Sequence, residues 1–393
     1  MSRAGLVAAL RDADWLTPDR TRAYARLLVA VTVAALALWI GLSQGGLDPS
    51  GKPLGTDFLS FWSASALALS GDPAAAYDPA AHRAVQQELF GAGVGYYAFL
   101  YPPVFLLACL PLALLPYMAS LAAWLALTGL AYWKMLERLT AGRFGLVALL
   151  AFPAVFLTAT HGQNAFLTAA LMGGGILLWD RRPILAGILL GCLVLKPHLA
   201  VAVPFALLAA GRWKVLASAG LTALALAALS WALLGEDTWH AFLGSTALAR
   251  AALETGLVEH AKMQSVFAAA RMLGAGIAVS YAIQIAAALA AIACVMRLSR
   301  RRAPAEGAAV AAATFLVSPF LLDYDMTLLA IPIAWLAGEG LRAGFRPWEK
   351  IMLLAAFVLP GIARGAATYA HLPLTPLIVA AVLALLLRRM ECR

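Results

Sequence analysis

Residues 99–116 read FLYPPVFLLACLPLALLP, an apolar run of nearly membrane-spanning length that carries four prolines. Whether this run crosses a bilayer decides how every neighbouring segment is oriented. Pro102, Pro103, Pro111 and Pro116 would each interrupt a regular spanning helix, because proline lacks the backbone donor and its ring clashes with the preceding turn. The run is therefore expected to be re-entrant or interfacial.

Around it, apolar runs of roughly helical crossing length lie near residues 27–44, 118–136, 144–160, 164–179, 184–196 and 199–210. The second half adds 215–234, 277–298, 307–321, 326–337, 349–363 and 373–388. They predict about twelve crossings. Basic residues concentrate between the runs: in the N-terminal tail and at Lys134/Arg138/Arg143, Arg181/Arg182, Arg212/Lys214, Arg297/Arg300/Arg301/Arg302, Arg342/Arg346/Lys350 and Arg388/Arg389/Arg393. These seven clusters hold 22 of the 29 Lys and Arg residues. If residues 99–115 do not cross, all seven fall on one side, which the positive-inside rule makes cytoplasmic. If they do cross, Lys134, Arg138 and Arg143 lie outside. On the first reading the outer face carries loops 45–117, 235–276 and 364–372, with Asp57, Asp72, Asp78 and Glu88 in the first and Glu236, Asp237, Glu254 and Glu259 in the second.

Composition agrees with a lipid solvent. The 393 residues are 63% hydrophobic and 12% charged, with a mean hydropathy of +0.84, whereas soluble domains are roughly 45–50% apolar. This is the pattern of an all-α polytopic membrane protein in an inner or plasma membrane. The net charge of +9 lies in short clusters between apolar runs rather than along one face, so it reports topology and no nucleic-acid partner is expected. Cys109, Cys192 and Cys294 sit inside apolar runs and Cys392 in the basic tail, which argues against structural disulfides. Residues 1–26 show no cleavable signal; they read as a cytoplasmic segment, in which LVAALRDADWL forms either a short surface helix or a solvated tail. Without long linkers or internal repeats, residues 27–393 read as a single integral domain.

Ionisable groups at membrane depth cost about 2.5–3.5 kcal/mol on insertion scales, so the polar exceptions carry the information. They are Asp57, the run His161-Gly162-Gln163-Asn164, Lys196-Pro197-His198, Gln264, Asp323-Tyr324-Asp325 and Arg364. Asp57 is either the N-cap of an interfacial helix over FLSFWSASALAL or a functional carboxylate, and the two are compatible. Lys196 joins two runs too short to cross, 184–196 and 199–210, which meet at LKPHL; freed backbone of this kind is tolerated where it lines a cavity. The lysine needs an anion there, either a carboxylate such as Asp323 or a phosphate on a ligand. Asp323 and Asp325 suggest a metal only weakly, and N-capping of the next helix competes. No HExxH, P-loop, GxGxxG after a strand, CxxC or GxSxG is present, which leaves zinc-protease, nucleotide-driven and dinucleotide chemistries without support.

The segments TDFLSFWSASALALSGDPAAAYDP, YPPVFLLACLPLALLPY, HGQNAFLTAAL, LAGILLGCLVLKPHLAVAVPFALL, MQSVF and SPFLLDYDMTLLAIP stand in an order that resembles glycosyltransferase family 87 over roughly residues 27–340. The resemblance implies a GT-C fold and a membrane enzyme that moves a sugar, mannose-like, from a polyprenyl-phosphate donor to a lipid or glycan acceptor on the extracytoplasmic face. It implies that the catalytic carboxylate of the first outer loop is Asp57, that YPPVF is the proline-rich outer-loop element, and that LAGILLGCLVLKP is the broken helix ending in an outward-facing lysine.

A sugar already linked to phosphate needs its acceptor hydroxyl activated and its leaving group stabilised. Asp57 is the expected base, and Lys196 with His198, Arg271 or Arg364 the expected holders of phosphate. His161, Gln163, Asn164, Gln264, Asp323, Tyr324 and Asp325 are expected to line the substrate site. One base implies a single displacement with inversion, and nothing in the sequence requires a metal or other cofactor. The rival readings are a lipid-linked sugar flippase or another transporter, which would also need a cationic membrane cavity, and a structural scaffold, which the buried polar clusters disfavour.

Overall fold

The computed structural model describes residues 3–143 and 145–391. Met1, Ser2, Phe144, Cys392 and Arg393 lie outside these. In chain order the helices are α1 (Arg3–Asp12), α2 (Pro18–Gly41), α3 (Thr56–Leu69), α4 (Pro79–Phe90), α5 (Pro103–Cys109), α6 (Tyr117–Leu139) and α7 (Leu146–Leu150). They continue with α8 (Pro153–His161), α9 (Ala165–Leu178), α10 (Pro183–Gly191), α11 (Ala202–Ala209), α12 (Trp213–Leu234) and α13 (Glu236–Thr255). The last are α14 (Val266–Met272), α15 (Ile277–Arg300), α16 (Glu306–Val317), α17 (Ala330–Ala343), α18 (Glu349–Ala370) and α19 (Leu374–Glu391). Prolines set many of these boundaries: Pro18, Pro79, Pro103, Pro153 and Pro183 each open a helix, where a missing N–H leaves no acceptor unpaired.

The proline-rich run folds as the short α5 followed by a single 3₁₀ turn, Leu112–Leu114. The seven residues of α5 span about 10 Å, a third of a hydrocarbon core. Its Phe105 and Leu106 are buried against α3, with the rings of Phe61 and Phe105 4.9 Å apart. Phe58, Phe61, Phe99, Phe105, Tyr117 and Trp124 form a separate aromatic core beneath α3.

The main core is built around α16, every residue of which is buried. A helix apolar on all sides belongs at the centre of a bundle, and EGAAVAAATFLV achieves this with alanine and glycine, so that neighbours approach closely. α2 is the opposite case, since none of its residues is buried.

The basic clusters converge on one end of the bundle. Arg212 bonds to Asp180, between α9 and α10, and to Glu306 at the start of α16, while Arg302 reaches Asp180 from the α15–α16 turn. Arg389 of α19 pairs with Glu349 at the start of α18, and Arg346 donates to the Arg388 carbonyl. A small cavity lined by Ala303, Glu339 and Arg389 joins these two groups. The N-terminal segment docks beside them through Trp348 N to the Arg11 carbonyl at 2.7 Å and Lys350 to Asp14 at 3.0 Å. Arg143 lies next to Gly338 of α17.

Among the described residues, four helices are long and apolar enough to cross a membrane: α2, α12, α15 and α18. The shorter apolar helices are α9, α16, α5 with its following turn, and α10 with its following turn. Several expected boundaries are corrected. The 144–160 run is two helices, α7 and α8, because Pro153 starts a new one. The 326–337 run begins as a 3₁₀ segment, Asp323–Leu329, before α17. The expected loop 364–372 is helical as far as Ala370, so Arg364 projects from a helix. Loop 235–276 contains α13 and α14.

Candidate functional site

At the end of the bundle away from the basic clusters, the start of α3 meets the turn between α8 and α9. Gly55, at φ +72°, precedes α3, and Gly162, at φ +63°, ends α8. A Cβ on Gly162 would stand 2.5 Å from Phe58 Cβ and 3.3 Å from Gly55 Cα. Only glycine permits both the left-handed backbone and this approach. Tyr117 OH fixes the incoming chain by donating to the carbonyls of Leu54 (2.7 Å) and Gly55 (2.9 Å).

This packing brings Asp57 to Gln163. Asp57 is the second residue of α3, and the cap position belongs to Gly55 without a side-chain cap bond. The N-cap reading of Asp57 is thus corrected: its carboxylate reaches across to another element. Gln163 Nε2 donates to Asp57 Oδ2 at 3.0 Å. Gln163 Oε1 accepts from both Tyr101 OH (3.1 Å) and Asn164 N (2.7 Å), and these two donors leave only the amide nitrogen to face the carboxylate. Asp57 is half-buried, and its Oδ1 makes no hydrogen bond among the described residues.

Below this pair lies a buried ion pair. Lys196, where the chain breaks between the 3₁₀ turns Cys192–Leu195 and Pro197–Leu199, places Nζ 2.5 Å from Asp325 Oδ1 and 3.5 Å from Asn164 Oδ1. The lysine and aspartate side chains are 4% and 2% exposed. The anion that Lys196 needs is therefore Asp325, not Asp323. Asp325 Oδ2 also accepts from Leu322 N at 3.1 Å, so the expected N-cap is corrected: Leu322 holds the cap position of the 3₁₀ segment, and Asp325, three residues on, reaches back to it. Lys196 Nζ lies 5.1 Å from the ring centre of Tyr324 and 6.0 Å from that of Tyr101, within cation–π range.

Tyr324 is the hub of a third group. His161 lies 5.9 Å from it ring to ring, and Lys262 Nζ 5.8 Å from its ring centre. Asp323 accepts from Tyr324 N at 3.0 Å and faces Arg364 Nη1 at 3.9 Å, and Arg364 also reaches Glu259 at 3.4 Å. Asp323 and Asp325 thus turn to different cations.

Three expected residues join none of these contacts. His198 packs on Phe320 with a buried, unpartnered Nε2. Arg271 donates to the Ala275 carbonyl, at the end of its own helix. Gln264 accepts from Thr375 at 2.6 Å and pins the Met263–Leu322 bridge through its backbone. Conversely, Tyr101 and Lys262 belong to the site though the sequence did not single them out, and Glu259, noted only as an outer-loop acid, joins it through Arg364. The first directly precedes the Pro102-Pro103 pair and the second stands two residues before Gln264.

The sequence model of glycosyltransferase family 87 matches residues 99–319, more than half of the chain. It takes in Tyr101, Gln163, Asn164, Lys196 and Lys262, while Asp57, Asp323, Asp325 and Arg364 fall outside the matched span. No curated protein and no solved structure matches the chain.

Proposed function

The chain belongs to glycosyltransferase family 87 and is a membrane glycosyltransferase; from that premise we propose that it transfers a mannose-like sugar from a polyprenyl-phosphate donor to a lipid or glycan acceptor, with inversion and with Asp57 as general base. The observation that carries this reading is the half-tethered carboxylate. Gln163 fixes one oxygen of Asp57 and leaves the other free for an acceptor hydroxyl, which is the arrangement a positioned base requires.

The departing phosphate needs cations that are not locked in a buried pair. Lys262 has no carboxylate at hydrogen-bond distance among the described residues, and Arg364 is half-exposed on a long 3.4 Å contact to Glu259, with His161 beside Tyr324. Lys196, paired with Asp325, fixes the floor of the site and adds its charge from below. The phosphate contact expected of Lys196 would need that pair to open. His198 and Arg271 take no part in this reading.

In the membrane, we read about twelve crossings in a GT-C arrangement, with both termini cytoplasmic and Asp57 extracytoplasmic. The meeting of the basic clusters at the end opposite Asp57 supports this orientation.

The test is transfer by the purified full-length protein, incubated with radiolabelled polyprenyl-phosphate mannose and extracted lipids. A labelled glycolipid is expected, and Asp57→Asn is expected to lower the rate about 10²–10⁴-fold while donor binding persists. Transfer by Asp57→Asn within a few-fold of wild type would move the base elsewhere. Translocation of the intact donor without product would make the protein a flippase.

A further inference from the structure

At the end of the bundle opposite Asp57, a cavity of about 350 Å³ opens between the α9–α10 turn and the first turn of α12. Trp179, Asp180, Arg212, Trp213, Lys214 and Arg302 line it. Small-molecule sites begin at about 300 Å³, so this one admits a headgroup.

Its charges are unevenly matched. Arg212 is buried over the Trp179 ring and is matched by Asp180 and Glu306. Arg302 gives one nitrogen to Asp180 and another to the Ala210 carbonyl, yet its side chain is still 53% exposed. Lys214 is exposed and has no partner among the described residues. Three cations thus face two carboxylates, and the uncompensated one stands at the mouth.

The surface below the mouth is apolar. On α12, Leu221 lies seven residues after Lys214 and therefore on the same face, and it is exposed, as are Trp213 and Leu224. On α10, Ile184 and Ile188, four residues apart, are likewise exposed. Between them the two helices touch closely, since a Cβ on Gly187 would meet Ser218 at 2.5 Å. A cationic mouth with Trp213 at its rim and a hydrocarbon-like flank matches an amphiphile with an anionic head.

We propose that this cavity binds the phosphodiester headgroup of an anionic membrane phospholipid, with Lys214 and Arg302 on the phosphate and the acyl chains along α10 and α12. This site is separate from the one that holds Asp57 and does not depend on the sugar donor.

Native mass spectrometry of the full-length protein in mild detergent, titrated with phosphatidylglycerol or phosphatidylcholine, tests it. One saturable phosphatidylglycerol is expected, held at least about tenfold more tightly than phosphatidylcholine. Lys214→Gln is expected to weaken phosphatidylglycerol about fivefold, and Lys214→Glu more, with phosphatidylcholine unchanged in both. The unchanged phosphatidylcholine titration also reports that the variants are folded. Equal phosphatidylglycerol affinity in wild type and both variants would overturn the proposal. Displacement of the lipid by an equal concentration of soluble glycerol phosphate would overturn it too, by assigning the cavity to a free phosphate.

Discussion

At the scale of single residues, the site rests on how each buried or half-buried polar group is matched. Asp57 and Lys196 stand out because lipid tolerates neither without a reason. Tyr101 does not, since an aromatic in an apolar run looks like core until its hydroxyl is seen on Gln163. The partner of Lys196 was equally hidden, because Asp323 and Asp325 differ only in which way a 3₁₀ turn points them. Breaking a buried pair leaves a bare charge at a cost of about 3–5 kcal/mol. Lys196→Met is therefore expected to lower the thermal midpoint, whereas Lys262→Met is expected to keep it and weaken donor binding; a midpoint scan with a donor titration separates the two roles. His82 of α4 gives a pH dependence. It is buried with Nε2 on the Ser60 carbonyl at 3.0 Å, and burial pushes its imidazole down to about 4. The unfolded chain then binds the extra proton first, so stability is full above about 6.5 and falls as the pH drops toward 4, by on the order of 3 kcal/mol. His82→Gln is expected to flatten that part of the midpoint-versus-pH curve.

Among the elements, the long uniform apolar runs and the breaks at Gly162 and Lys196 were readable, and the starts of α8 and of the segment before α17 were not. α2, α6, α12 and α15 lie close to their expected spans. The segments that carry the chemistry are broken: α8 stops at Gly162, α10 gives way to 3₁₀ turns before Lys196, and α17 is preceded by Asp323–Leu329. Polar residues mark the first two breaks, whereas Pro153 and Asp323–Leu329 lie within apolar sequence, where hydropathy averages over windows longer than the pieces and merges them. The contact that matters most is the one between α3 and the α8–α9 turn. Gly162→Ala adds a methyl 2.5 Å from Phe58 Cβ at a backbone of φ +63°, which forces the two elements apart. Strain of this kind costs about 1–3 kcal/mol, and the larger expected effect is a fall in turnover through loss of the Gln163–Asp57 bond. Gly220→Ala, on exposed helix with open space around it, is the matched control and is expected to retain activity. Equal activity in both variants would remove the packing argument.

Across the whole molecule, the basic clusters and the helix count bear on the topology separately. Clusters far apart in sequence meet around Asp180, Arg212 and Glu306 and around Glu349 and Arg389. The number of crossings was less legible, because helices of 12 or 14 residues such as α16 and α9 are shorter than a bilayer and rely on neighbours for their surroundings. Cysteines placed near Arg250 and in the α3–α4 segment are expected to react with an impermeant reagent in intact cells, and one near Lys214 only after permeabilisation. Labelling of position 250 only after permeabilisation would reverse the topology. The contrast between α2 and α16 bears on how the chain is made. α2 has no fully buried residue, so it can leave the translocation channel for lipid as soon as it emerges and settle the orientation of the later helices. α16 carries Glu306, whose counter-charge is Arg212, ahead of α12 and nearly a hundred residues earlier. It has to enter beside helices already in place, which makes its insertion dependent on them and gives assembly an order.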